Sequence, residues 1–142
     1  MTSGPPASPD DRAELLGLVE TWWGAVRALL WLLRRLPDDE FSRPTDLAGW
    51  DVHAVVAHVA HLESVLAGGQ EVVVDVGEPA HARGPLGRYC EQGVVARRDR
   101  TPGELAVEIR ASTARRVEEL RANPPRDGSA PADRARRPHR AR

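Results

Sequence analysis

The sequence contains no lysine, because all 20 basic residues of this 142-residue chain are arginines. Exclusive use of arginine, together with many alanines, glycines and prolines, is typical of a protein encoded by a GC-rich genome. The formal net charge is −1, and the predicted helices carry no cluster of basic residues. A nucleic-acid-binding surface needs such a cluster, so we expect no nucleic-acid partner.

Cysteine is nearly absent as well. Cys90 is the single cysteine, which excludes an intrachain disulfide and fits a reducing compartment such as the cytoplasm. The N-terminus lacks the basic and apolar segments of a secretory signal peptide. The most apolar stretch, 15–36, carries four charged side chains between Glu20 and Arg35, whereas a membrane helix needs about 20 largely uncharged residues. We therefore expect no membrane span.

Apolar residues recur at spacings of three and four in three parts of the chain, which indicates three long amphipathic helices. The first begins after Ser8, which can cap it. The second is predicted at about Asp51–Ala67. The third opens with Thr101-Pro-Gly-Glu104, the pattern of a capping box. Residues 71–99 are predicted to be mostly loop, with a short helical piece near Leu86–Val95.

The composition changes abruptly after Pro125. Residues 126–142 contain six arginines and two aspartates but no Leu, Ile, Val, Phe or other aromatic residue, so they cannot contribute to a core. We predict a disordered leader at 1–9, one folded domain at 10–125 and a disordered tail at 126–142. The abrupt change is typical of a frameshift in GC-rich DNA, and a natural disordered tail is the alternative.

Three histidines lie on the second predicted helix, and imidazole is the commonest protein ligand for transition metals. At about 100° per residue, His58 lies on the flank of the apolar face formed by valines and leucines of 52–66. His53 and His61 point mostly away from that face. Helical bundles build metal sites at the edges of their cores, so His58 is the candidate ligand. From spacing alone, a histidine packed at a helix flank is the alternative.

A short motif spans the loop before the second helix and the first half of that helix. Its residues are Pro44-Thr45, Leu47, Gly49-Trp50, Val52 and Val55-Val56-Ala57-His58. The motif resembles the hallmark of the mycothiol-dependent maleylpyruvate isomerase family, a branch of the DinB-like metal-binding bundles. Looser similarity extends from about Asp10 to Pro125. The resemblance implies an all-α, DinB-like up-down helical bundle in which three of the usual four helices are present.

In that family a divalent metal, usually zinc, is held by one histidine of the second helix and by a glutamate and a histidine of the last helix. The resemblance assigns the first of these ligands to His58. The other two have no counterpart in this sequence, because no apolar helix follows Pro125. The resemblance therefore implies a metal centre that is incomplete in this chain, and weak or absent metal binding.

The resemblance also implies a function. It is that of the metal-binding domain of a mycothiol-dependent isomerase or transferase, which presents a metal-bound thiolate to a small electrophile. Mycothiol, zinc and the electrophile are the implied cofactors and partners, in an actinobacterial cytoplasm. Because the metal centre is incomplete, we expect the chain as it stands to be inactive. The alternative is a non-catalytic helical module that acts through protein contacts.

Other polar residues are weaker candidates for a role in the site. His61 and His81 are alternative metal ligands, and Arg83 or Arg88 is a candidate contact for an anionic substrate. Cys90 is interpreted as an incidental thiol, because no partner histidine follows from its spacing.

Three further predictions concern packing. Glu63 is interpreted as a carboxylate at the edge of the bundle, and Trp50 as a core anchor. The paired arginines Arg97-Arg98 and Arg115-Arg116 are interpreted as solvated charge. Some of the tryptophan side chains on the first helix are expected to remain exposed, which favours self-association.

Overall fold

The computed structural model describes residues 8–125, and this part of the chain is all helical apart from its loops. Its elements are α1 (Pro9–Leu33), a 3₁₀ turn (Asp38–Ser42), α2 (Val52–Leu66), α3 (Gly84–Ala96) and α4 (Pro102–Ala122). Residues 8–125 form no β-strand, only an isolated bridge between Pro44 and Asp51. The prediction of an all-α helical bundle is therefore confirmed.

The predicted ends of the folded domain are only partly described. Ser8 and Pro9, the last two residues of the predicted leader, form the N-cap and the first position of α1. The predicted tail at 126–142, whether natural or the product of a frameshift, lies outside the described residues.

Side-chain caps fix where the helices begin. Ser8 accepts a hydrogen bond from the backbone N–H of Asp11, and the Asp11 carboxylate accepts one from the Ser8 N–H. Thr101 and Glu104 form the same reciprocal pair at the start of α4. Asp51 caps α2. These contacts satisfy backbone donors that have no partner within a helix. The sequence predicted the Ser8 cap and the Thr101–Glu104 capping box.

Helix α3 is longer than the helical piece predicted near Leu86–Val95. It spans 13 residues, and its buried residues are Glu91, Gly93 and Val94. Because only one of the three is a large apolar residue, the spacing of apolar residues could not reveal the full helix. The described chain therefore has four α-helices, which are the three long predicted ones and α3.

Helix α2 lies at the centre of the fold. It packs against α4, α3 and the 3₁₀ turn, while α1 packs against α4. The buried core is formed by residues from α1, the 3₁₀ turn, α2 and α4: Val26, Leu30, Leu33, Phe41, Val56, Ala57, Ala60, Leu105 and Ile109.

The buried side of α2 differs from the predicted apolar face. Its buried residues are Ala54, Val56, Ala57, Ala60, His61 and Glu63. Of the predicted face, Val56 is buried, Val52 and Val59 are partly buried and pack against the core, and Leu66 is exposed. Small side chains let α3 and α4 approach α2 closely, whereas the prediction weighted large apolar residues. The mostly apolar side of α2 that carries Val55, His58, Leu62 and Leu66 is therefore only partly covered. We call it the open side of α2.

Glu63 joins three helices. Its Oε1 accepts a 3.0 Å hydrogen bond from Nε1 of Trp22 on α1. Its Oε2 makes no hydrogen bond with the described residues but lies 3.7 Å from the guanidinium of Arg116 on α4. That guanidinium also lies over the Trp22 ring, 4.8 Å from its centroid. The carboxylate predicted at the edge of the bundle thus links α1, α2 and α4.

The outer side of α1 remains largely uncovered. Its large exposed apolar residues are Leu16, Leu18, Trp31 and Leu32, whereas Trp22 and Trp23 are partly buried. By length and composition alone, α1 could cross a membrane, with a mean hydropathy of 1.3. A single helix of this kind is weak evidence for a membrane span, and α1 also supplies three residues to the buried core.

Replacing Trp22 by Phe should lower the free energy of unfolding by about 1–3 kcal/mol, because the buried Glu63 carboxylate loses its hydrogen-bond donor. Trp23→Phe is the matched control, since Trp23 is also partly buried on α1 and its ring, like that of Trp22, contacts an arginine guanidinium, here that of Arg27. Urea unfolding followed by helical circular dichroism measures both variants. Equal losses would show that the Trp22–Glu63 hydrogen bond contributes nothing.

Candidate functional site

His58 lies in the middle of the open side of α2. Its ring packs against Trp50, with 5.0 Å between ring centroids and 43° between ring planes. The Nδ1 atom is buried and has no hydrogen-bond partner among the described residues. Burial lowers the pKa of His58, which favours the neutral imidazole, the form that ligates metals. One nitrogen of this ring is therefore uncommitted, and the ring is in the protonation state that a ligand requires.

Trp50 is held in place by a short chain of polar contacts. Its indole N–H donates a 2.7 Å hydrogen bond to Oε2 of Glu91 on α3. His81 Nε2 lies 3.1 Å from the same oxygen. A Cβ atom at Gly49 would overlap the His81 ring, and Gly49 has φ +76°, so this position requires glycine. The Gly-Trp pair of the motif thus fixes the loop onto α3 and supports the His58 ring.

His61 occupies a different environment, although it is only three residues from His58. It points away from the predicted apolar face, as expected, yet it is only 1% exposed, because α3 covers that side of α2. Its Nδ1 lies 3.4 Å from a guanidinium nitrogen of Arg97, and its ring centroid lies 5.3 Å from that of Tyr89. Position 93 requires glycine, because a Cβ atom there would overlap the His61 ring.

The protonation state of His61 follows from these contacts. Burial lowers the pKa of His61, and the nearby Arg97 guanidinium lowers it further. Because Arg97 can only donate, Nδ1 is the acceptor, and we assign the ring proton to Nε2. That Nε2 atom is buried without a hydrogen-bond partner among the described residues. His61 is thus a neutral histidine packed between α2 and α3.

Arg97 is buried at 4% exposure, so its interpretation as solvated charge is wrong. Its guanidinium donates to both carboxylate oxygens of Glu108 on α4, with the shortest distance 2.6 Å. It also donates to the Gly93 carbonyl oxygen at 3.3 Å. This ion pair joins the end of α3 to α4. Its two partners are 11 residues apart in the sequence. Because both are charged, the spacing of apolar residues could not predict this contact.

A cavity of about 890 Å³ lies beside the motif loop. Its walls come from the loop before α2, from α3 and from the first residues of α4, and they include Trp50 and Glu91. Exposed Arg98 lines the cavity, whereas Arg83 and Arg88, the candidate contacts for an anionic substrate, do not. His58 does not line it either, although its neighbour Trp50 does.

The described residues do not fit a complete metal centre. Within 8–125, no three His, Cys, Asp or Glu side chains form a group that could hold a metal ion. Zinc in proteins has three or four protein ligands, so His58 meets the requirement for one ligand and not for a site. His81 Nε2 lies at hydrogen-bonding distance from Glu91, and His61 Nδ1 lies at hydrogen-bonding distance from Arg97. Burial raises the pKa of the Cys90 thiol, which opposes formation of a reactive thiolate.

The motif and the helical bundle are those of a DinB-like helical domain, with the half-buried His58 inside the motif. The chain matches a family described as the mycothiol maleylpyruvate isomerase N-terminal domain, over residues 22–141. This match covers most of the chain, so the chain belongs to that family, as its motif indicated. No curated protein and no solved structure matches the chain.

Replacing Gly93 by Ala should destabilise the protein by about 1–3 kcal/mol, because the new methyl group overlaps the His61 ring in a closely packed interface. The control is Gly24→Ala on α1, where no atom lies within 4 Å of a new Cβ and a gain of up to about 1 kcal/mol is expected from helix propensity. Thermal or urea unfolding measures both. The account also requires that Gly93→Ala cost much less when His61 is already replaced by Ala.

Stability should fall as the pH is lowered through the range of histidine titration. The pKa of His61 is lowered in the folded state. Below about pH 6.5, the ordinary pKa of histidine, the unfolded chain therefore binds more protons than the folded chain. Proton binding then stabilises the unfolded chain relative to the folded one. Urea unfolding at pH 7.5 and at pH 5.5 should show this loss, and His61→Gln should reduce it. An identical loss in the variant would contradict the assignment of a buried, neutral His61.

Proposed function

We propose that this chain is the metal-binding helical domain of a mycothiol-dependent enzyme, in which His58 supplies one ligand of a divalent metal such as zinc. The observation that carries the proposal is the buried, unpartnered Nδ1 of a neutral His58. Its location within the motif shared with the family supports the same role. An unsatisfied buried nitrogen costs stability, which a bound cation would recover.

The chemistry proposed for this domain is thiol chemistry on a small electrophile in the cytoplasm. A bound divalent metal supplies the means of keeping a thiol, here that of mycothiol, deprotonated near neutral pH. The residues of this chain contribute by orienting the His58 ring and by keeping water away from it. Trp50 packs against the His58 ring, and Val55, Val59 and Leu62 occupy the neighbouring positions of α2.

The remaining ligands are proposed to come from outside residues 8–125, because the described residues hold only one. The chain as it stands is therefore proposed to be a weak metal binder and inactive in thiol transfer. A second candidate function, a helical module that acts through protein contacts, is favoured by one observation. The open side of α2, which also carries exposed Leu66, offers an apolar surface to a partner segment.

Calorimetric titration of the chain with Zn²⁺ should show binding weaker than about 1 µM, that is, less than roughly 8 kcal/mol. His58→Ala should abolish it, because the first ligand is lost, and His53→Ala on the same helix should leave it unchanged. Unchanged binding in His58→Ala would make His58 a structural histidine. Tight stoichiometric binding by the unaltered chain would contradict the incomplete centre, and no binding at all would favour the interaction module.

A further inference from the structure

The outer side of α1 carries a line of uncharged residues at coiled-coil spacing. Leu18, Thr21, Ala25, Ala28 and Leu32 follow one another at intervals of three and four, as the a and d positions of heptads do. All five are exposed, with Leu18 at 62% and Leu32 at 48%. We call these five residues the α1 seam. It is about 21 Å long at 1.5 Å per residue.

The seam is not used by the fold. Helix α1 enters the core through Val26, Leu30 and Leu33, which lie on another side of the helix. Residues 1–7 and 126–142 contain no Leu, Ile, Val, Phe, Tyr or Trp. An exposed apolar line of this length is typical of a surface that contacts another molecule.

Charge at the two ends of the seam indicates what that molecule is. The same spacing continues to Glu14 before Leu18 and to Arg35 after Leu32, and both charged residues are exposed. The set is close to symmetric about Ala25. Two copies of α1 that run antiparallel would bring each Glu14 near the partner's Arg35. Parallel copies would bring like charges together, which is unfavourable.

We propose that the α1 seam is the interface of a homodimer, in which α1 of one protomer packs antiparallel against α1 of its partner across a two-fold axis near Ala25. Thr21, Ala25 and Ala28 allow the two helices to approach closely at the middle, while the leucines pack toward the ends. Such an interface is isologous and closed, so it produces dimers and no larger assembly. Its length places it below about 1,200 Å² of buried area, in the class of weak and transient interfaces.

Sedimentation equilibrium of the full chain, under reducing conditions and from about 1 to about 300 µM, tests the dimer in the range expected of a weak interface. Leu18→Glu should weaken dimerisation by about tenfold or more, because it places a charge in the apolar seam. Leu16→Glu is the matched control, since Leu16 is 63% exposed and Leu18 is 62% exposed, but Leu16 lies off the seam. It should change the dissociation constant by less than about twofold.

Disulfide crosslinking tests the antiparallel orientation. In a Cys90→Ser background, chains carrying Glu14→Cys and chains carrying Arg35→Cys are mixed and oxidised with diamide. The antiparallel dimer should give mainly the mixed crosslink between position 14 of one chain and position 35 of the other. Self-crosslinked chains of each variant in place of the mixed product would overturn the orientation.

Three other outcomes overturn the proposal itself. The first is a monomer at every concentration, and the second is equal weakening by Leu18→Glu and Leu16→Glu. The third is a monomer that sediments with phosphatidylcholine vesicles and loses this association in Leu18→Glu, which would assign the seam to a lipid surface. Helical circular dichroism of both glutamate variants verifies that each remains folded.

Discussion

The close approach of α3 and α4 to α2 is the constraint on which the other features of this domain depend. It is possible because α2 presents alanines, with Ala57 and Ala60 fully buried, and because α3 presents Gly93 to His61. Small residues reduce the distance between helix axes, which gives close-packed contact over one side of α2. That contact decides which side is enclosed, and it leaves the more strongly apolar side of the same helix open.

Two histidines three residues apart consequently have different chemistry. His61 lies on the enclosed side, where Arg97 is at hydrogen-bonding distance from one ring nitrogen, and Arg97 is itself held by Glu108. His58 lies on the open side, where Trp50 supports the ring but no group binds its buried Nδ1. Burial lowers the pKa of both rings. The difference that matters for function is therefore the availability of a nitrogen lone pair. The Nε2 of His61 is also unpartnered among the described residues, but in the assigned tautomer it carries the ring proton, and the lone pair on Nδ1 faces Arg97.

Features encoded by local rules could be predicted from the sequence. The Ser8 cap, the Thr101–Glu104 capping box, the three long helices and the family motif around His58 all follow from patterns within a few residues of one another. Features that depend on contacts between distant segments could not. Helix α3 buries Glu91 and Gly93, which are not large apolar residues and therefore do not appear in a pattern of apolar spacing. The burial of His61 and Arg97 depends on where α3 packs. The predicted apolar face of α2 overlaps the core only at Val56 and, in part, at Val52 and Val59, because alanine carries little weight in a hydrophobic pattern.

The central claim is that His58, and neither of its neighbours on α2, is the residue available to a metal. Imidazole ¹⁵N NMR spectra of the folded chain, recorded while Zn²⁺ is added, test it residue by residue. The account predicts that the Nδ1 resonance of His58 shifts, while the His61 resonances remain in place because that ring is enclosed between α2 and α3. A shift of the His61 resonances with His58 unchanged would contradict the account.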